Sequence, residues 1–210
     1  MFTTPPFGLG QSYKGTDDAG NLINDEWLGR IYYFPANDPT STAARGMVSQ
    51  LATGRYIKAV ILRNTLGAPL TRKRLAMFER TAGYSLLESV NGYAAVLAEK
   101  FCVFVDGYSD DTIADDDLFW GILEGPTIVL TPQSGDDFNG DIAVGAQLVA
   151  ATGASTGHAD QGRVANVTLP GQTGATQAFA MAANQVGIAL SGRTTAETDS
   201  ALLVHALIKH

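Results

Sequence analysis

The sequence predicts a mainly β fold: a β-barrel or β-sandwich of short antiparallel strands, with an extended N-terminal arm and at most one or two short helices. Three observations lead there. Glycine is plentiful, 23 of 210 residues, and it suits turns while disfavouring long helices. Short apolar runs rich in β-branched and aromatic residues recur along the chain, each bounded by Gly, Pro, Asn or Asp. The chain is also long enough to bury roughly 70% of the surface its unfolded form exposes, so a core needs no disulfide staple.

Residues 1–28 read as the arm. Pro5, Pro6, Gly8, Gly10, Gly15 and Gly20 punctuate a polar stretch, a density that blocks helix and regular ladder alike. Phe2, Phe7, Leu9 and Tyr13 are among its large side chains. Two readings stand: a disordered terminus, or an arm that orders on a partner with its aromatics as anchors. Residues 29–210 then form the β-rich domain, with room for a division into two lobes near 132–140.

The first strand falls at 29–34, closed by Pro35 and an Asn37-Asp38-Pro39 turn. In 40–53, Ala43, Met47 and Leu51 have helical spacing, but Gly46 weakens a helix there. Residues 56–63 are a clear strand, turned by Asn64-Thr65-Leu66-Gly67. Residues 75–78 suit a strand or a helical turn, and 93–105 supply one or two strands. Apolar runs at 118–123 and 127–131, split by Glu124-Gly125-Pro126, read as a hairpin. Further strands fall within 142–151, 162–169 and 186–190. The final run, 201–208, reads as a strand pairing with the one before it.

Charge narrows the function. The formal net charge is −7, which argues against a fold built to neutralise phosphates, so no nucleic-acid partner is expected. No stretch approaches the roughly 18 apolar residues of a membrane helix, and the first residues have neither the basic region nor the apolar run of a signal peptide. Charge is also segregated. From Arg45 to Arg80 there are eight basic residues and one acid, Glu79; from Asp106 to Asp141 there are ten acids and no base. Such blocks form solvated faces or complementary contact surfaces.

Residues suited to chemistry all have blander readings. Cys102 sits in an apolar run and reads as a small buried hydrophobe. His158 lies in a Gly/Ser/Thr/Asp loop, His205 in an apolar strand, and His210 is the last residue; no two have metal-ligand spacing. Gly171-Gln172-Thr173-Gly174 lacks the strand–loop–helix setting of a dinucleotide site. Residues 106–117 lack the spacing of a calcium loop. With ten acids in one segment, any catalytic carboxylate pair is an arbitrary choice. The expectation is therefore a protein with no enzymatic activity, no cofactor and no metal.

The segment Asp117-Leu118-Phe119-Trp120-Gly121-Ile122-Leu123-Glu124-Gly125-Pro126 resembles a hairpin of small β-rich proteins of tailed bacteriophages. Gly140-Asp141-Ile142-Ala143-Val144-Gly145, leading into 148–151, is similar to their turn before a short strand. The end of the chain, 186–190, a polar loop and 202–204, resembles the closing hairpin of phage head decoration proteins, and 59–64 followed by Gly67 is in keeping with them. The resemblance covers about 56–208. It implies a virion structural protein, made in the host cytoplasm, that cements adjacent capsomers from the capsid exterior. Its partners would be the major capsid protein and copies of itself in a homotrimer. Candidate contact residues are Phe2, Phe7 and Tyr13 of the arm, the basic cluster Arg72, Lys73 and Arg74, and the acidic cluster Asp115, Asp116 and Asp117. The alternative is a carbohydrate- or receptor-binding fibre or spike module with Tyr108 or Trp27 as stacking platforms. A β-rich hydrolase with dispersed carboxylates is the third reading.

Overall fold

Ten strands carry the fold: β1 (Ile31–Pro35), β2 (Tyr56–Asn64), β3 (Leu75–Glu79), β4 (Ser85–Ser89), β5 (Cys102–Val105), β6 (Leu118–Leu130), β7 (Gln147–Ala150), β8 (Val164–Asn166), β9 (Gly187–Ala189) and β10 (Ala201–Leu207). This is a computed structural model, and it describes residues 4–35, 56–79, 85–89, 102–131, 141–150, 163–166, 185–194 and 201–208. Among the described residues the one helical element is a 3-10 turn, Asp25–Trp27. The expectations for 40–53, for 93–101 and for a lobe boundary at 132–140 lie outside the described residues.

The strands form one sheet in the order β1-β2-β4-β3-β5-β6-β10-β9-β7-β8, with β2 also pairing β6. The pairings are antiparallel except β2–β4, which runs parallel over Arg63↔Ser85 and Asn64↔Leu86. The extra β2–β6 pairing doubles the sheet back on itself. With β1 and β8 at its two ends, the sheet as a whole is not closed.

Doubling back explains why the central strands are apolar on both sides, as strands buried on both faces must be. Ile57, Ala59 and Ile61 of β2, with Leu118, Trp120 and Ile122 of β6, enter the larger core. Val60 and Leu62 of β2, Val103 and Val105 of β5, and Phe119 and Leu123 of β6 form a smaller one. The larger core also holds Ile142, Leu148, Val186 and Leu202, so the chain after 140 continues the same packing. At its centre lies the Trp120 ring, with centroids 4.8 Å from Phe7, 5.3 Å from Tyr32 and 5.0 Å from Phe34.

One sequence reading is overturned. Glu124-Gly125-Pro126 is not a hairpin turn; residues 118 to 130 are one strand of 13 residues. Before Gly125 the strand pairs β2 and β5, and from Glu124 onward it pairs β10, with His205 opposite Pro126. Gly125 has φ +106°, and a Cβ there would lie 2.7 Å from the Tyr56 carbonyl oxygen. The glycine is thus required by a close backbone approach where the strand changes partners. The two apolar runs find neighbours elsewhere in the sheet, and that tertiary pairing overrides the local turn signal.

Other strand readings match. Residues 75–79 are a strand, and β10 pairs antiparallel with β9, Val204 opposite Ala189. Strand β4 has no counterpart in the sequence reading. The described part of the N-terminal segment, 4–28, does not reach away from the domain: Phe7 and Leu9 are buried in the larger core.

Replacing Trp120 by Ala should lower the unfolding free energy by about 3–5 kcal/mol, measured by urea denaturation. A loss under about 1 kcal/mol would place this ring outside the packing centre.

Candidate functional site

Two buried charged residues hold the N-terminal segment on the sheet. Arg63, near the end of β2, donates to the carbonyls of Gly15 at 2.7 Å, Asp116 at 3.0 Å and Ile23 at 3.0 Å, and pairs with the Asp25 carboxylate. A buried guanidinium needs such acceptors, because desolvation without partners is costly. A Cβ on Gly15 would overlap the Asp116 carbonyl, so glycine lets the two backbones meet around Arg63. Asp106, fully buried, accepts from the Gly10 N–H and from the Tyr108 N–H at 3.0 Å. Its other neighbour is buried Arg72, at 3.4 Å. Burial holds the Arg72 pKa below its ordinary value, while the charges of Asp106 and Asp111 oppose that shift. Tyr13 and Leu118 complete the attachment by exchanging backbone hydrogen bonds of 2.9 and 2.8 Å.

The basic and acidic blocks of the sequence therefore meet inside one chain. Arg72 pairs with Asp106, Lys73 pairs with Asp110, and the Asp115 carboxylate accepts from the Gly67 N–H at 2.9 Å. Of the candidate contact residues, Phe7 and Arg72 are buried, Arg74 is half-buried, and Lys73 is engaged with Asp110. Phe2 lies outside the described residues. Tyr13 is 43% exposed, and its ring lies against Trp27, centroids 5.1 Å apart. Asp115 is exposed, and Asp116 and Asp117 are half-buried beside Gly15. Desolvation raises the Asp117 carboxyl above its ordinary value, against a lowering hydrogen bond from the Gly15 backbone.

The expected stacking platforms are not free. Tyr108 is buried, its hydroxyl donating to the Pro126 carbonyl. Trp27 is half-buried against the larger core. Besides Tyr13, two exposed aromatics lie on one face of the sheet: Tyr33 of β1 is 52% exposed and Tyr56 of β2 is 65% exposed. Period-two alternation in 31–35, where buried Tyr32 and Phe34 flank exposed Tyr33, is the sequence signal that finds one of them. Together with Lys58, Glu124 and His205 they line an open depression of about 640 Å³, floored by Ile188 and Leu207.

Cys102 is buried, and burial pushes its thiol up to about 12, so it carries no thiolate near neutrality. The chain also contains a Gly-x-Ser-x-Gly pattern, Gly153-Ala154-Ser155-Thr156-Gly157, followed by His158. These residues, like His210 and Gly171-Gln172-Thr173-Gly174, lie outside the described ones.

Two predictions follow from the buried charges. Asp106→Asn leaves Arg72 without its counter-charge and should cost about 3–5 kcal/mol in urea denaturation; a loss under about 1 kcal/mol would contradict the pairing. Asp117 has a raised carboxyl pKa, so its protonation favours the folded state, and its unfavourable contribution grows as pH rises through the folded value. Asp117→Asn should therefore equal or exceed the parent in thermal midpoint at neutral pH. The two midpoints should converge as pH falls below the ordinary 3.8.

No family model matches the chain, and no curated protein matches it. Among solved structures, the head fiber gp8.5 N base of bacteriophage phi29 is similar, with a TM-score of 0.37 and 11% sequence identity, covering 73% of this chain and 99% of that one.

Proposed function

We propose that this chain is a structural protein of a bacteriophage particle, seated on the capsid exterior through the rigid acidic end that Arg63 assembles. The observation that carries the reading is the convergence of the N-terminal segment and the 113–118 loop on one buried guanidinium. The clamp shapes a surface. Tyr13, together with Leu22 at 54% exposure, stands out from that surface among the carboxylates of Asp18, Asp25, Glu26 and Asp115. Exposed aromatic and aliphatic anchors, among carboxylates that outnumber the exposed cation Lys14, which pairs with Asp18 at 3.6 Å, suit a protein partner with a basic patch. The net charge of −7 would steer that encounter.

The tie to phage decoration proteins rests on the sequence resemblance. Two of its segments keep the expected local form: the turn at 144–145 leads into β7, and β9 and β10 pair as antiparallel neighbours. The third, 117–126, is a continuous strand instead. On this reading the major capsid protein is the partner, bridging of capsomers is the task, and a homotrimer is the form that binds. No chemical step is assigned to any residue.

Binding to purified particles of the parent phage tests the proposal. Asp18→Lys combined with Glu26→Lys should weaken attachment at least about tenfold, with an unchanged thermal midpoint. Attachment equal to that of the parent chain would overturn it.

A further inference from the structure

We propose that the open depression between Tyr33 and Tyr56 is a binding site for a neutral oligosaccharide. Among the described residues Tyr33, Tyr56, Lys58 and Glu124 make no side-chain hydrogen bond, ion pair or ring contact. The register places them together. Tyr33 lies opposite Lys58 and Pro35 opposite Tyr56, so the two tyrosines are diagonal neighbours on adjacent strands. The irregularity between Lys58 and Ala59 sets Lys58 opposite Glu124 on the next strand. Two exposed rings thus stand beside Lys58, and the Glu124 carboxylate lies across from it on the next strand without pairing.

The chemistry of the lining selects the class of ligand. An apolar ligand would cover Lys58 and Glu124 and leave both charges unsatisfied. An anionic ligand would meet the Glu124 carboxylate, and a cationic one the Lys58 ammonium. A neutral sugar ring avoids each penalty: its hydroxyls accept from Lys58 and donate to Glu124, and its C–H faces lie on the tyrosine rings. Amphipathic tyrosines, apolar in the ring and polar at the tip, suit such a ligand. Size agrees, since about 640 Å³ falls in the range of about 300–1,000 Å³ of small-ligand sites. The site is separate from the Arg63 end, so it stands or falls independently of the capsid contact.

Saturation-transfer NMR on the full chain tests the site, with the neutral trisaccharides cellotriose, maltotriose, chitotriose and mannotriose as probes at millimolar concentration. At least one should bind. Tyr33→Ala and Tyr56→Ala should each weaken it about tenfold, and Lys58→Met with Glu124→Gln should do the same. Both tyrosines are exposed, so these variants should keep the parent thermal midpoint. Asp18→Lys with Glu26→Lys should leave sugar binding unchanged. Binding of none of the four sugars overturns the proposal, as does binding that survives loss of both tyrosines.

Discussion

The guanidinium of Arg63 lies under the N-terminal segment with three carbonyls and one carboxylate around it. Much of the molecule depends on this arrangement. A buried cation is tolerated only where its donors are satisfied, and here the acceptors come from the N-terminal segment and the loop before β6. Folding that buries Arg63 must therefore bring both into place. The same folding delivers Phe7 and Leu9 to the larger core and lets the Asp106 carboxylate reach the Gly10 N–H. Trp120 then gains the Phe7 ring as a cover. A segment without regular secondary structure becomes part of the core because charged side chains supply the hydrogen bonds its backbone lacks.

Charge segregation along the sequence acquires a structural meaning from the same contacts. Arg72 with Asp106 and Lys73 with Asp110 show the two blocks answering one another across neighbouring loops. Further acids face outward at one end, around Tyr13 and Leu22, where Asp18 pairs with Lys14 and Asp25 with Arg63. The tyrosine-bearing sheet face is a second, different surface with both signs of charge.

Strands were legible where apolar runs are long and β-branched, as at 56–64, or where two runs pair in sequence order, as at 187–189 and 201–207. Gly125-Pro126 misled because its signal is local, while the partner change that it serves is set by β2 and β10, far away in sequence. Phe7 stood out as an anchor, but its surface could not be read: the partner ring, Trp120, is more than a hundred residues along the chain. Arg72 read as part of a basic cluster, and its burial against Asp106 depends on loop packing that no spacing rule reports. Tyr33 was within reach of simple alternation. Tyr56 was too, since buried Ile57 and Ala59 alternate with Tyr56 and Lys58 at the start of β2.

The central claim is that the N-terminal segment is an integral layer of the fold, held by buried charges. Amide hydrogen exchange of the intact chain tests it most directly. The Gly10, Tyr13 and Ile23 amides, bonded to Asp106, Leu118 and Gly15, should be protected to within about 1 kcal/mol of the amides of β2 and β6. Rapid exchange at those three positions, with β2 and β6 still protected, would show a segment that opens independently and would contradict the account.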